Sequence, residues 1–147
     1  MTYKQPISVL VVIHTPDLKV LLLERKDFAN AWQSVTGSRE ADEALPVTAQ
    51  REVMEETGLD TARYGLSDWH FSTEYEIYEV WRHRYAPGVT VNTEHVFSLQ
   101  VPHELDVTLA PDEHTRYQWV DWQQAAELVF SPSNAEAIRT LAHRTAA

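Results

Sequence analysis

Three glutamates, Glu52, Glu55 and Glu56, stand at spacings of three and four residues within a stretch of strong helix formers. At about 100° per residue they fall within roughly 100° of arc, so three carboxylates crowd one face of a single helical turn. Each like-charged pair so placed costs a few tenths of a kcal/mol in an isolated helix, and Arg51 alone is at hand to compensate. A bound divalent cation converts that repulsion into attraction. Hard oxygen ligands suit Mg2+, with Mn2+ as a substitute, better than they suit metals that prefer imidazole or sulfur. Taken alone, E-x-x-E-E is more often a solvated acidic helix face, so its surroundings must decide.

The chain contains no cysteine, which excludes disulfides, thiolate metal sites and cysteine nucleophiles and leaves oxygen and imidazole groups for any chemistry. A formal net charge of −10 argues against a nucleic-acid polymer as partner, because such surfaces cluster Lys and Arg against phosphates. An anionic small molecule stays compatible, its charge met locally by carboxylate-held cations and a few arginines. An ordinary acidic, soluble surface explains the same charge. No apolar run approaches the roughly 20 residues of a bilayer span, and Met1 to Lys4 lacks the basic start of a signal peptide, so the expectation is a cytoplasmic protein without membrane partners. At 147 residues and 44% hydrophobic, with no repeat or linker, residues 1–147 are expected to form a single domain. The oligomeric state is left open, with a monomer favoured.

The elements that must position the glutamates follow from pattern and punctuation. Ile7 to Ile13 and Val20 to Leu23 are short apolar runs around the turn residues His14-Thr15-Pro16-Asp17, which predicts a buried hairpin. Trp32 to Thr36 is a third strand candidate, ending at Gly37. Pro46 is tolerated only in a first turn and Gly58 is a C-cap, giving a helix from Leu45 to Thr57. Further strands are expected over Trp69 to Trp81, Glu94 to Val101 and Tyr117 to Val120. Asp121 is a candidate cap for a helix through Val129, and Ser133 or Asn134 for another through His143. The outline is a mixed sheet between helices.

The surroundings of the acidic turn are specific. Gly37, Glu43, Arg51, Glu52, Val53, Glu55, Glu56, Gly58 and Leu59 fit G-x5-E-x7-R-E-U-x-E-E-x-G-U, with U a bulky apolar residue. An accidental match at a given start has a probability on the order of one in a billion at average residue usage. This sequence resembles the Nudix box at every fixed position. Gly37 is expected to let the chain turn closely after a strand, and Glu43 to return and pair with Arg51. Two loop positions depart from the commonest form: Asp42 stands where a glycine is frequent, and Ala44 replaces a hydroxyl N-cap, at a local cost of about 1 kcal/mol. Neither is expected to be a metal ligand, and activity should survive both. Asp tolerates a left-handed backbone better than most residues.

Beyond the box, nearly the whole chain resembles the dihydroneopterin triphosphate diphosphatases of bacterial folate synthesis. Tyr3-Lys4 with Pro6, Trp32 to Ser38, and Arg82-His83-Arg84-Tyr85-Ala86-Pro87-Gly88-Val89-Thr90 carry that resemblance. It implies the Nudix fold, an α/β (α+β) α/β/α sandwich around a mixed, partly antiparallel sheet. It implies Glu52, Glu56 and Glu113 as magnesium ligands with Glu55 beside them, and Glu55, Glu56, Glu113 and Arg51 as the catalytic set. Lys4, Arg25, Thr36, Tyr75, Glu76, Ile77, Tyr78, Arg82, Arg84 and Ser131 line up with substrate-holding positions. Plainer readings exist for several: Arg82-His83-Arg84 as a charged strand edge, Tyr75 and Tyr78 as strand residues, Thr36 as a strand-end hydroxyl, Lys4 as a solvated terminal charge. His83, His95 and His114 are set aside, since a lone histidine is more often a surface or satisfied core residue than a ligand.

The implied reaction is attack of water on phosphorus, the cation neutralising phosphate oxygens and a basic side chain such as Arg25 stabilising departing pyrophosphate. Trp32, Tyr75 and Tyr78 are the candidate rings to stack on a flat pterin. The same box serves general hydrolases of (d)NTPs such as dATP or of dinucleoside polyphosphates. A Nudix-fold binding module without activity is a third reading, against which the intact carboxylates speak.

Overall fold

Strand β1 (Ile7–His14) is apolar almost throughout because both its faces are covered. Leu10 and Val12 enter one apolar layer, and Val9, Val11 and Ile13 enter the other. The computed structural model describes residues 2–145. The chain continues through β2 (Lys19–Arg25), β3 (Trp32–Gln33) and β4 (Val35–Ser38) into helix α1 (Leu45–Thr57). A 3-10 turn at Thr61–Arg63 leads to β5 (Leu66–Glu76), and a second, Glu79–Arg84, leads to β6 (Val91–Gln100). Strand β7 (His114–Asp121) and helices α2 (Trp122–Leu128) and α3 (Pro132–Thr145) complete it.

The seven strands form one sheet in the order β3-β2-β1-β6-β5, with β4 on β1 and β7 on β2. Among the described strands only β1 and β6 pair in parallel, from Ile7 opposite Thr93 to His14 opposite Gln100; the other strand-to-strand pairings are antiparallel, and a single parallel bridge links Trp32 to Val129. Helix α1 places Ala49 and Val53 against Val9, Val11, Leu21, Leu23 and Phe97 on one face. On the other face Ala125, Ile138 and Leu141 of α2 and α3 cover Leu10, Val12, Val20, Leu22 and Val96. The α/β/α sandwich around a mixed sheet is the fold the sequence led us to expect. Among the described residues no helix is long and apolar enough to cross a membrane.

The helix that carries the glutamates has the expected ends: Pro46 lies in its first turn, and Gly58 adopts φ 75° while its N–H bonds the Met54 carbonyl. The left-handed residue in the preceding loop is Ala41, at φ 50°, rather than Asp42. Other expectations need correction. The β1–β2 hairpin is splayed: the strands pair only at His14 and Val20 and then diverge. One extended segment cannot bond two diverging edges, so Trp32 to Thr36 divides. Strand β3 joins β2 and β4 joins β1, while the Ser34 N–H at the break is taken up by Asn134 Oδ1 at 2.8 Å. Asn134 is therefore a bridge rather than a cap, and α3 starts earlier, at Pro132. Asp121 precedes α2 without a side-chain cap bond, because its carboxylate pairs with Lys19 at 2.9 Å.

The expected strand from Trp69 to Trp81 ends at Glu76, where its ladder with β6 finishes opposite Val91. The chain then coils, and Arg82 to Arg84 lie on the 3-10 turn instead of a strand edge. Buried Ile77 anchors that turn through its N–H to the Thr90 carbonyl at 2.8 Å. Ile138, fully buried in α3, fixes the helix that bridges the strand break. Ile138→Ala is expected to lower unfolding stability by about 2–5 kcal/mol with an unchanged denaturant m-value in urea; a loss under 1 kcal/mol would mean that α3 is not part of the cooperative core.

Candidate active site

One guanidinium organises the loop and the helix of the box. Arg51 donates from Nε to Glu43 Oε2 at 2.9 Å, and from Nη2 to Glu43 Oε1 and the Ser38 carbonyl, both at 3.0 Å. Its Nη1 reaches Glu52 Oε1 at 2.7 Å and Glu55 Oε2 at 3.4 Å. Glu43 also accepts from the Thr48 hydroxyl at 3.0 Å and the Glu40 N–H at 2.9 Å. Held foremost by Arg51, the Glu43 carboxyl drops from 4.5 to about 2. The Glu43–Arg51 pair expected from spacing thus forms, and it also offsets part of the repulsion along α1.

The three glutamates of α1 are not equivalent. Glu52 and Glu56 are buried, while Glu55 lies exposed at the rim against Arg51. Gly37 makes room for Glu52: a Cβ there would lie 2.0 Å from the Glu52 carboxyl carbon. Gly37 sits inside β4 with ordinary backbone angles, so its requirement is close approach, not the turn anticipated from sequence. Burial raises the Glu52 carboxyl, opposed first by its contact with the Glu56 carboxyl and then by Arg51. Glu56 is 1% exposed and neither of its oxygens receives a hydrogen bond. Burial first, then the close approach of the Glu52 carboxyl and the charges of Glu52, Glu113 and Glu55, push its carboxyl well above the ordinary range.

His114, buried at the start of β7, closes the cluster with its Nε2 3.7 Å from Glu56 Oε1. Burial, then Arg25, lower its pKa to about 4, so the ring is neutral at pH 7. The Gln33 amide donates to that Nε2 at 3.0 Å, which leaves the ring proton on Nδ1. Glu56, Glu113 and His114 offer ligand atoms within 4.8 Å of one another. Orphaned buried carboxylate oxygens beside further carboxylates are an uncompensated arrangement that a hard divalent cation satisfies, and the donor set fits one.

The cluster opens into a cavity of about 790 Å³ that spans the place where β1 and β2 part. Lys4, Arg25, Thr36 and Arg84 line it, as do Tyr75, Glu76, Ile77, Tyr78 and Ser131. Arg25 grips Asp27 through two hydrogen bonds of 2.7 and 2.8 Å, and its guanidinium lies 4.4 Å from the centre of the Trp81 ring. Lys4 is exposed to solvent, yet desolvation at the cavity mouth and then Arg84 lower its pKa. Phe28, Tyr78, Trp81 and Phe130 form an aromatic wall with ring centroids 5.4–6.0 Å apart. Residues of the sheet face beneath α2 and α3 make the floor: Ser8, Leu10, Thr36 and Glu94.

Some expected residues stand elsewhere. Arg82 is outside the cavity lining, its guanidinium occupied by the Ile77 carbonyl at 2.9 Å and Glu76 at 2.7 Å. Arg51 and Glu55 also stay outside the lining, on the box loop and rim. Trp32 is in the core with Arg116 over its ring, so Trp81 and Phe130 replace it as cavity aromatics. His114, set aside as a lone histidine, lines the cavity, and Gln33, Glu94 and Ser133 were not anticipated as site residues. The Glu113-His114 adjacency was the one available signal for His114; the others come from strands and a helix start whose common cavity no spacing reveals.

Residues 4–141 match the NUDIX domain family. The chain is 48% identical over 139 residues, 92% of its length and 91% of the relative's, to a dihydroneopterin triphosphate diphosphatase of Escherichia coli K12. It is 44% identical over 142 residues, 95% and 89% of the two chains, to one from Haemophilus influenzae. The solved structure of the E. coli dihydroneopterin triphosphate pyrophosphohydrolase superposes with a TM-score of 0.90 at 46% identity, covering 95% of this chain and 97% of that one.

Two outcomes follow from this geometry. Gly37→Ala is expected to displace the Glu52 carboxylate and weaken Mn2+ binding by about tenfold or more, with an unchanged far-ultraviolet circular dichroism spectrum; titration calorimetry showing less than a twofold change contradicts it. Because the Glu43 pKa is depressed by folding, its stabilisation is complete above about pH 4.5 and fades as pH falls toward about 2. The gap in Tm between the wild type and Glu43→Gln should follow that window, and a gap that closes already near pH 6 contradicts the assignment.

Proposed function

Because the chain belongs to the Nudix family, we propose that it is a hydrolase that cleaves dihydroneopterin triphosphate to dihydroneopterin monophosphate and pyrophosphate, with Mg2+ as the working cation and Mn2+ as a substitute. The observation that carries this reading is Glu56: a buried carboxylate with no donor to either oxygen, on the wall of a cavity that cations also line. A module that merely binds a nucleotide has no need to maintain so costly a group.

Glu52, Glu56 and Glu113 are the residues that would hold the cation, with Glu55 at the rim. Once bound, the cation supplies charge neutralisation at phosphate oxygens and a lowered pKa for water. The chain's own groups do the rest. Glu56 and Glu113 are candidates to take the proton of the attacking water, since both line the cavity within 4.8 Å of one another. Glu55, further out against Arg51, is the third candidate. Arg25, Lys4 and Arg84 offer donors to the polyphosphate and to departing pyrophosphate. Arg25 reaches them by exchanging Asp27 for a phosphate, since both oxygens of Asp27 now occupy its fork. Thr36 donates its hydroxyl to the Val9 carbonyl at 3.0 Å, which leaves its oxygen as an acceptor on the floor. Arg51 acts by positioning Glu52 and Glu55. The aromatic wall supports a flat bicyclic ring by stacking, with Tyr78, Trp81 and Phe130 the rings on the cavity side.

The test is a competition between dihydroneopterin triphosphate and dATP in the presence of Mg2+, with the products identified. Pyrophosphate and dihydroneopterin monophosphate are expected, cation-dependent and reduced by roughly 10³-fold or more in Glu56→Gln, the scale on which a lost essential group acts. A preference for dATP above tenfold would assign the enzyme to nucleotide hydrolysis instead, and an undiminished rate in Glu56→Gln would remove Glu56 from the mechanism.

A further inference from the structure

The cationic side of the cavity already holds an anion of its own. Asp27, on the cavity lining, accepts from Arg25 Nε at 2.7 Å through Oδ1 and from Arg25 Nη2 at 2.8 Å through Oδ2. The same Oδ2 accepts from the Trp81 indole N–H at 3.2 Å and lies 3.8 Å from Arg84 Nη2. One carboxylate thus gathers donors from the end of β2 and from the 3-10 turn at Glu79–Arg84. Arg25 Nη1 donates to Gln33 Oε1 at 3.2 Å, so each pair of parallel N–H groups on Arg25 includes a committed nitrogen. Arg25 foremost holds the Asp27 carboxyl below the ordinary range, which keeps it ionised at neutral pH. Its loop is pinned on either side of it, by Lys26 N–H on the Glu113 carbonyl at 2.9 Å and Asn30 N–H on Glu24 Oε2 at 2.8 Å. The Asp27 side chain itself is 35% exposed, so leaving Arg25 takes a rotation of one side chain into solvent, with the loop in place.

A carboxylate and a phosphate fit the same guanidinium fork. A tethered carboxylate so placed competes with every phosphate ligand, whose apparent affinity falls by the fraction of time the fork is free. The factor is the same for substrate and product, but its consequence is not. An intact triphosphate is also held through its ring on the aromatic wall, whereas pyrophosphate, once cut from the ring, keeps only the contacts of its phosphates. Accepting the triphosphate reading of this cavity, we propose that Asp27 is an internal competitor for the phosphate fork of Arg25, yielding to the intact substrate and returning to displace pyrophosphate. Asp27 then governs how long the product stays without touching the bond that is cut. It also neutralises the site between turnovers: after desolvation, Arg84 and Arg25 both depress the Lys4 pKa, so these cations repel one another when no anion stands among them.

A purely structural role, in which Asp27 aims Arg25 at the phosphates, has the opposite sign. Titration calorimetry of pyrophosphate in the presence of Mg2+ would compare wild type, Asp27→Asn and Asp112→Asn. Asp27→Asn keeps the shape and removes the charge, and its dissociation constant for pyrophosphate is expected to fall by roughly tenfold, as for a fork that Asp27 fills about nine-tenths of the time. Asp112→Asn takes a charge from the same lining without releasing a guanidinium, and it should move the constant by less than about threefold, the scale of one screened surface charge. Weaker binding in Asp27→Asn would make Asp27 a support for Arg25 and overturn the proposal. An unchanged constant, or equal tightening in the two variants, would overturn it as well. If the asparagine variant does not fold, a crystal structure of the wild type with Mg2+ and pyrophosphate decides. Arg25 is expected on a phosphate with Asp27 turned away, and an intact Arg25–Asp27 fork beside bound pyrophosphate overturns the proposal. A wild type that releases no pyrophosphate from dihydroneopterin triphosphate sinks the functional reading alone, because the pyrophosphate constants still decide Asp27. Ordinary hydrolysis by the wild type with no tightening in Asp27→Asn sinks the proposal alone.

Discussion

Burying Glu56 with both oxygens lacking a donor is costly, and much of the surrounding structure is arranged around that cost. Glu52 lies one turn away on the same helix face, and Glu113 and His114 approach from β7 and the loop before it. The helix remains viable because Arg51 draws off part of the repulsion toward Glu43, Glu52 and Glu55. Arg51 in turn is fixed by the box loop, through Glu43 and the Ser38 carbonyl. The remaining imbalance is local, negative and turned toward the cavity. That is a concentrated affinity for a hard cation, built from residues that would otherwise destabilise the fold.

The location of this imbalance follows from the sheet. Because β1 and β2 pair at one position and then part, the sheet is open at its centre, and short strands β3 and β4 line the two edges of the gap. Glu52 and Glu56 approach from the α1 side; Ser131, Ser133 and Asn134 approach from the α2–α3 side. A continuous hairpin would have sealed that passage. The Asn134–Ser34 hydrogen bonds, at 2.8 and 3.0 Å, satisfy the backbone where the ladder is broken, so the opening leaves no orphaned Ser34 N–H.

Charge divides the cavity into two regions. Around α1 and the start of β7, carboxylates and the cations Lys4, Arg25 and Arg84 interact with each other, as suits a polyanion bound through a metal. Around β5 and β6 the surroundings are hydroxyl, aromatic and one isolated carboxylate. An acidic chain with a net charge of −10 can therefore take an anionic substrate, because the relevant fields are set within the cavity and not by the total.

The box was legible in the sequence because it is local: one helix period and one loop return fix which side chains meet, so Glu52, Glu55, Glu56, the Glu43–Arg51 pair and the Gly58 cap needed no tertiary information. The layers were legible for the same reason, since burial on both faces of β1 and β2 is written in their continuous apolar runs. Where strands end was not. Pairing partners decide it, and the break at Ser34 and the 3-10 turn at Glu79–Arg84 depend on edges far away in the chain. Only the folded chain decided that Gly37 serves the approach of Glu52, that Arg82 is spent on Glu76 and Ile77, that Trp32 is core, and that His114 and Glu94 face the cavity. Apart from the local return of Arg82, each of those outcomes is a contact between residues distant in sequence, and spacing along a chain carries no record of which distant residue closes the distance.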